Sequence, residues 1–584
     1  MQWVSQRQDH SAVLVRVRAR WSAEECAANL CGRITGDVRT PPFILVVHAS
    51  TGSKAQGFMI ILGIGGIIGE AACAVLKDGT LLAAVEERKL SRNPHSGELP
   101  EQALAYCLKQ AKAAPFEVDY LAMVRPLAAA PEAKLHLELR QRFPNCEVVM
   151  VDHHVAHAEA AYGVSPFEEA TVLTLDRAGD FRCGARWHAR GTQIRMEREL
   201  YFPDSLGQLY GRVTELLGFE EEADEHKVQW LSASGDDRFT DLFLEIITAG
   251  RSDWPRIDRT FFDSDRMSQG AFSAKFYQRL GLEDGEPVPR ELKAHVAAGV
   301  QNAVEQMVVR MAGKGGGCLC LGGGLGLNAM LVAALERCGN WKEVYVQPAA
   351  GNAGTAIGGA VYVWHTALGE SQRVRMESLF LGPEYDAEEI KQVLENCKLR
   401  FRYQLTTDDL IDSAVTELGE HKIVAWMQGR MEFGPRALGN RSLLASPLDP
   451  YSTENLNAFV KHREAFRKFA ASVPAELAGE YFEVGPNARN LATVGRVKAA
   501  HRKTFESAIL GRDTVRVHTV REQDNPSYWR LLHAAGKKTG LPVLYNTSFN
   551  LFGDPLVCSP RDAVRSFYSS GVDSMFVGHF LLRK

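Results

Sequence analysis

A glycine-rich loop between a buried strand and a helix constrains the fold of this chain more than any other feature. Residues 318–321 have the apolar composition of a buried strand, and Gly322, Gly323 and Gly324 follow them directly. Residues 327–338 then have helical composition. Backbone amides at the start of a helix can approach a phosphate closely where glycine leaves no Cβ in the way. The segment predicts an α/β domain with a candidate nucleotide loop, although glycines needed only for packing would give the same pattern.

Two glycine-tipped hairpins extend this prediction. Residues 59–85 alternate as strands that turn at a glycine and again at Asp78-Gly79, and residues 170–175 with Asp176 and Gly179 partly repeat the pattern. The loop fits neither the Walker pattern nor the dinucleotide fingerprint. Repeated glycine-turned strands fit the actin and sugar-kinase ATPase plan, in which Asp176 faces the cation or phosphate.

Length, charge and cysteine content exclude several classes of protein. A chain of 584 residues exceeds what one core usually serves, so we expect several domains. Its 67 Lys and Arg against 71 Asp and Glu leave a net charge of −4, which gives no global field for nucleic acid or anionic lipid. Eleven cysteines without a CxxC pair indicate a reduced, cytoplasmic protein. The longest apolar run, 58–69, is shorter than the roughly 20 residues that span a bilayer, so no membrane segment is expected.

The periodicity of the sequence places the domain boundaries. It is weak over residues 1–58, which we interpret as an uncharacterised N-terminal extension without a signal-peptide pattern. It lapses again around 373–383, and Asp386 is then positioned to cap a helix. We therefore expect one α/β domain over 59–375 and a second over 376–584.

Two histidines have the spacing of a metal site. His153 and His157 stand at i and i+4, so they lie on one face of the predicted helix over 153–162. Two imidazoles at this spacing can bind one metal ion. Such a pair also occurs as ordinary surface or core histidines, and this alternative stays open on the sequence.

A run of cations marks the second domain. Seven lie between residues 430 and 468 against four acids, and three glycines accompany them. Guanidinium groups bind phosphate with two parallel hydrogen bonds, so the run suggests recognition of a phosphorylated small molecule. A solvated charged face is the alternative. Nucleic acid is not expected, because the aromatic residues here form no stacking array.

Three longer motifs carry a family resemblance. Residues 429–442 read GRMEFGPRALGNRS, residues 461–464 read KHRE with Arg467 following, and residues 546–550 read NTSFN. They closely resemble the nodulation and cephamycin-type (NodU/CmcH) O-carbamoyltransferase family. The histidine pair, Asp176 with Gly179, residues 226–228 and the glycine loop match the same family in order, so the resemblance extends from about residue 60 to the C-terminus.

The resemblance implies both a fold and an activity. The fold is α/β, with an actin-like, ATPase-type (Kae1-like) domain followed by a YrdC-like α/β domain. The second domain would form carbamoyl-adenylate from carbamoyl phosphate and ATP, and the first would transfer the carbamoyl group to the hydroxyl of a small molecule. The implied cofactors are ATP and a divalent transition metal, Fe²⁺ by family resemblance, with Mg²⁺ as a further candidate.

The family motifs also imply site residues, by matching position to position. Lys461, Arg436, Arg467 and Ser548 would be the catalytic residues. His153, His157 and, in place of an aspartate, Asn352 would hold the metal. The residues that would bind substrate or nucleotide are Arg430, Arg441, Arg516, Asn546, Asn550, Asp176, Gly179, Lys227, Gly322, Gly323, Gly324 and Asn328.

The first domain departs from the family pattern in three regions. Ile68, Gly69 and Glu70 occupy the region of a His-Asp pair, and Pro94 replaces a lysine before His95. Asn352 offers only a neutral oxygen, so metal affinity should be lower than with aspartate. Two alternatives stay open: a fusion enzyme of the tRNA-threonylcarbamoylating type with the same two folds, and a non-catalytic nucleotide-binding regulator with a degenerate first site, which Glu70 and Asn352 keep possible.

Overall fold

The computed structural model describes residues 58–67, 69–93, 99–124, 132–179, 181–248, 253–264, 270–511, 513–551 and 553–584. Apart from Phe58, the predicted extension lies outside this range, as do Ile68, Pro94 and His95. We call residues 59–375 the first half and 376–584 the second half. None of the helices that the structure describes is both long enough and apolar enough to cross a membrane.

The first half contains two five-stranded sheets with one plan. Strands β1 to β5 are Ile60–Gly65, Ala72–Lys77, Thr80–Glu86, Tyr120–Val124 and Glu147–Val151, in the order β3-β2-β1-β4-β5. Strands β6 to β10 are Glu169–Gly179, Arg182–Arg190, Gln193–Tyr201, Cys318–Gly322 and Glu343–Val346, in the order β10-β9-β6-β7-β8. In each sheet the first three strands pair antiparallel and the last two join in parallel. This duplication is the actin-like plan that the sequence predicts.

Helices cover these sheets closely. The α-helices of the first half are Glu87–Ser91, Glu101–Ala111, Glu132–Arg142, His153–Ala158, Leu206–Leu216, Glu225–Ser232, Thr240–Ile247, Ala274–Leu280, Arg290–Ala312, Ala329–Arg337 and Thr355–Tyr362. The last of these lies directly on β1, because a Cβ on Gly63 would come within 1.9 Å of the Ala356 carbonyl oxygen. The glycine in β1 therefore permits the contact between helix and strand.

The second half is built on one mixed sheet of ten strands. Its order is β11-β20-β19-β12-β13-β18-β14-β17-β16-β15. The strands β11 to β20 are Arg402–Tyr403, Val424–Met427, Arg441–Ala445, Ala470–Pro474, Phe482–Glu483, Val494–Val497, Thr514–Val520, Leu544–Ser548, Ser574–Val577 and Phe580–Arg583. The α-helices are Ala387–Asn396, Thr407–Gly419, Ser452–Asn455, Ala478–Tyr481, Pro526–Thr539 and Pro560–Tyr568. This half is the second α/β domain that the resemblance implies.

Local signals for helix starts agree with the structure. The Asp386 carboxylate accepts a hydrogen bond from the Glu389 amide at the start of Ala387–Asn396, as predicted. The boundary at residue 376 stays a prediction. It falls between β10 and β11.

A buried ion pair of the first half holds the backbone of the second. Lys89 Nζ lies 2.9 Å from Glu86 Oε1, and both side chains are almost wholly buried. The Lys89 ammonium also donates to the carbonyl oxygens of Glu432 and Gly434, at 3.0 and 2.7 Å. Glu86 accepts from the Gly434 amide at 3.0 Å. The pair thus hydrogen-bonds both the backbone N–H and the backbone carbonyl group of Gly434.

Replacing Glu86 by Gln should destabilise the chain strongly. It would leave the Lys89 ammonium buried without a carboxylate, a change that typically costs about 3 kcal/mol or more. The measurement is the free energy of unfolding in urea. Glu395→Gln is the matched control, because its pair with Lys391 is exposed and should contribute under about 1 kcal/mol. Equal effects of the two substitutions would contradict this role of Glu86.

Candidate functional site

Three side chains of the first half converge on one point. His153 and His157 belong to the helix His153–Ala158, and Asp176 belongs to β6. Asp176 Oδ2 lies 2.9 Å from His153 Nε2 and 3.0 Å from His157 Nε2, and the two ring nitrogens are 3.1 Å apart. The helix sets the spacing of the histidines, and its contact with β6 brings the carboxylate to both. Two imidazole nitrogens and a carboxylate oxygen form a donor set that suits a transition metal.

The electrostatics of this cluster keep the carboxylate charged. Burial alone would raise the pKa of Asp176, but its hydrogen bonds with His153 and His157 outweigh burial and hold that pKa well below its usual range. Burial lowers the pKa of His157, and that of the neighbouring His154 to about 3. A neutral His157 imidazole beside a charged carboxylate is in the protonation state that binds metal.

The predicted third ligand, Asn352, lies beside this cluster. Burial lowers the pKa of His157, whereas the nearby Asn352 side chain acts to raise it. The buried Oδ1 of Asn352 and Nδ1 of His157 have no hydrogen-bond partner among the described residues. Glu70 lies near Asn352, because its Oε2 would be 3.2 Å from a Cβ on the neighbouring Gly351. Glu70 also pairs with Arg88, at 3.6 Å. The sequence assigned Asp176 to nucleotide or cation, and the structure brings it to both histidines.

The predicted glycines pack around the same cluster. A Cβ on Gly179 would collide with the His153 ring, and one on Gly322 would come 2.9 Å from the His157 carbonyl oxygen. Gly323 has a φ of +88°. A Cβ on Gly324 would lie 3.1 Å from Asp176 Oδ1. Gly179 and the glycine loop therefore pack directly against the residues of the candidate metal centre.

Asn328 has a structural task at the end of this loop. Its Oδ1 accepts from the amides of Met330 and Leu331 and so caps the helix Ala329–Arg337. Its Nδ2 donates to Gln301 Oε1 at 2.9 Å. The structure gives both ends of this predicted nucleotide-binding side chain a protein partner.

A second cluster gathers cations where the two halves meet. Burial and nearby Arg467 lower the pKa of Arg436 to about 10. Burial, with Arg436, Arg463 and Arg467 nearby, lowers the pKa of Arg516 well below its usual range. Arg436 reaches across to the Leu327 carbonyl oxygen at 3.1 Å. Arg516 lies over the Trp230 ring of the first half, with its guanidinium carbon 4.9 Å from the ring centre. The guanidinium groups converge rather than spread into solvent.

Lys461 is the buried lysine of this cluster. Its ammonium contacts the carbonyl oxygen and Oγ of Ser548, and the carbonyl oxygen and Oδ1 of Asn550. Burial, with Arg463 and Arg467 nearby, lowers its pKa well below the usual range. Asn546 instead binds inward, to the Ala437 carbonyl oxygen at 3.1 Å and Ser472 Oγ at 3.3 Å.

Two predicted arginines serve the protein's own backbone. Arg441 is wholly buried and donates to the carbonyl oxygens of Gln428, Gly429, Asn440 and Pro383. Arg430 donates to the carbonyl oxygens of Leu82, Leu381 and Gly382. Both side chains hold the 429–442 segment in shape.

Sequence reasoning left three contributors out of the site. Burial and Arg467 lower the pKa of Arg463 to about 9, so this arginine belongs to the same cationic field. His226 lies close enough to Arg436 and Arg467 that they, after burial, help lower its pKa to about 3. Trp230 supplies the ring under Arg516. Arg463 stood within the KHRE motif and His226 within the match over residues 226–228, but no sequence signal placed Trp230 beside the arginines.

The glycine loop connects the two clusters. Gly324 adjoins Asp176, and Leu327, whose carbonyl oxygen accepts from Arg436, ends the same 3₁₀ turn. A rise of about 2 Å per residue places the two ends of this turn about 6 Å apart. The candidate metal centre and the cation cluster therefore face one short segment of backbone.

Comparison with known proteins identifies the family. A model described as carbamoyltransferase N-terminus matches residues 60–126 and 128–361, and one described as carbamoyltransferase C-terminus matches residues 415–584. Together they extend over most of the described chain.

Named relatives agree with these models. The nodulation protein NolNO of Sinorhizobium fredii is 32% identical over 88% of this chain and 79% of its own. The 3'-hydroxymethylcephem-O-carbamoyltransferase of Amycolatopsis lactamdurans is 28% identical over 73% of this chain and 79% of its own. Among solved structures, HypF of T. kodakarensis is 14% identical with a TM-score of 0.29, over 52% of this chain and 48% of its own. The chain belongs to the carbamoyltransferase family and is a transferase enzyme.

Proposed function

We propose that this enzyme is an ATP-dependent O-carbamoyltransferase that takes carbamoyl phosphate as donor and carbamoylates the hydroxyl of a small molecule through carbamoyl-adenylate. The cation cluster at the junction of the halves carries the proposal. Arg436, Lys461 and Arg516 have no carboxylate within ion-pair distance in the described part of the chain. A buried charge without a partner costs several kcal/mol, so such a cluster calls for an anionic ligand.

The chemistry of the cluster suits phosphorylated substrates. Guanidinium groups match phosphate oxygens with two hydrogen bonds each, and Lys461 adds a point charge held in place by Ser548 and Asn550. In the first proposed step, water hydrolyses carbamoyl phosphate to carbamate and inorganic phosphate. A carbamate oxygen then bonds to the α-phosphorus of ATP, and pyrophosphate leaves. Fixed positive charge beside these phosphates would stabilise the charge that develops on them.

The first-half cluster is the proposed transfer site. The acceptor oxygen bonds to the carbamoyl carbon there, its proton is lost, and AMP leaves. His153, His157 and Asp176 fit a divalent transition metal, since His153 Nε2, His157 Nε2 and Asp176 Oδ2 converge on one point. A bound metal would supply Lewis acidity. The oxygen of Asn352 would be a weaker fourth donor than a carboxylate.

The short glycine loop supports transfer between the two sites. Carbamoyl-adenylate is a mixed anhydride that water destroys, so a brief path inside the protein protects it. The Gly324–Leu327 turn contacts both clusters, which keeps that path short. The printed name of the A. lactamdurans relative, a hydroxymethylcephem O-carbamoyltransferase, supports a small-molecule hydroxyl as the acceptor.

Removing Lys461 should abolish adenylate formation. Lys461→Ala deletes the ammonium that Ser548 and Asn550 hold, and we expect pyrophosphate release from carbamoyl phosphate and ATP to fall about 100-fold or more. The assay is pyrophosphate released with and without carbamoyl phosphate. Lys503→Ala, at an exposed position of the same half, should behave like the wild type. Wild-type release that does not depend on carbamoyl phosphate would contradict the proposal.

Removing His153 should empty the metal site. We expect about one transition-metal ion per chain after anaerobic purification, and at least a tenfold loss of metal in His153→Ala and Asp176→Asn. Metal content by mass spectrometry is the measurement, independent of activity. His188→Ala is the control, because His188 pairs only loosely with Glu169, at 3.6 Å. Full metal content in His153→Ala would exclude this site.

A further inference from the structure

Two carboxylates pair with the cation cluster, and one of them comes from the second half. The cluster has six cations close together: Lys227, Arg436, Lys461, Arg463, Arg467 and Arg516. Among the described residues, Asp224 and Glu464 are the acids that form ion pairs with them. Asp224 lies next to Lys227 on the first half, whereas Glu464 comes from the second half between Arg463 and Arg467. Glu464 is thus the carboxylate that the second half itself contributes to this cation-rich pocket.

The Glu464 carboxylate makes long contacts with the cations around it. Its Oε1 lies 3.2 Å from Lys227 Nζ, and its Oε2 lies 3.8 Å from Arg467 Nη1. The second distance is beyond a hydrogen bond. Oε2 is buried and has no hydrogen-bond partner among the described residues. A carboxylate in its preferred site would accept several bonds, so this one neutralises charge without satisfying its own oxygens.

The ion pair with Lys227 is also replaceable. Lys227 keeps Asp224 at 2.9 Å, so its ammonium retains an acid if Glu464 moves away. A third of the Glu464 side chain is exposed, which gives the carboxylate a route to water. Carboxylate and phosphate use the same donors on Lys and Arg, so they compete for them.

We propose that Glu464 is the resident counter-ion of the cation cluster and that the phosphate of the substrate displaces it from Lys227 and Arg467. The proposal rests on the proposed function, which supplies the phosphorylated ligand. Because an entering anion must outcompete a carboxylate of charge −1, a dianionic phosphate gains over a monoanion. Glu464 would therefore determine both the affinity of the pocket and its preference for phosphate.

Binding of inorganic phosphate tests this role directly. By isothermal titration, Glu464→Gln should bind phosphate about fivefold more tightly than the wild type, since it removes the competitor but keeps the shape of the side chain. The affinity of Glu464→Gln for acetate should rise, relative to the wild type, by a larger factor than its affinity for phosphate. Glu454→Gln, at an exposed position of the same segment, is the matched control and should match the wild type. Unchanged or weaker phosphate binding by Glu464→Gln would overturn the proposal.

A double variant separates competition from a structural role. Lys227→Met removes the closer partner and leaves Glu464 to the arginines, so phosphate binding should weaken. Adding Glu464→Gln should then recover most of the lost affinity, and a double variant no better than Lys227→Met would overturn the proposal. If the wild type and every variant bind no phosphate while melting at the same temperature, the donor pocket of the proposed function fails with it. Wild-type binding without any gain in Glu464→Gln refutes the role of Glu464 alone.

Discussion

The positive charge gathered between the two halves is the constraint on which the site depends. Arg436, Arg467 and Arg516 repel one another, and each loses part of its hydration by burial. Contacts elsewhere must therefore hold the halves together. The buried pair of Lys89 and Glu86 does so through the backbone of the 429–442 motif, which leaves the guanidinium groups of the cluster available to a ligand.

This arrangement explains how the single motif over residues 429–442 can contain arginines with different roles. Arg441 and Arg430 donate to backbone carbonyl oxygens and so stabilise the segment. Arg436 instead donates to the Leu327 carbonyl oxygen at the end of the glycine loop. That loop in turn adjoins Asp176 through Gly324. Under the proposed function, this backbone connection would keep short the path of an intermediate that water destroys.

Most of the first half could be predicted from its sequence, and less of the second. Turn glycines and apolar strands mark β1 to β3, and a long apolar face marks the helix Arg290–Ala312. Strand β13, Arg441–Ala445, was read only as part of a binding motif. A sequence that begins with arginine and serine does not look like a buried strand. This strand is nevertheless buried throughout, because Arg441 donates to carbonyl oxygens, among them those of Gln428 and Pro383.

The sequence by itself determined what local geometry fixes: the paired histidines on one helical turn, the capped helix starts and the glycine loop after a strand. Each depends on residues a few positions apart, whose separation the backbone sets. Only the tertiary structure decided that Asp176 meets both histidines, that Trp230 lies under Arg516, and that Glu464 sits among the cations. Those contacts join residues from separate elements, so they exist only because sheets and helices pack in one particular way.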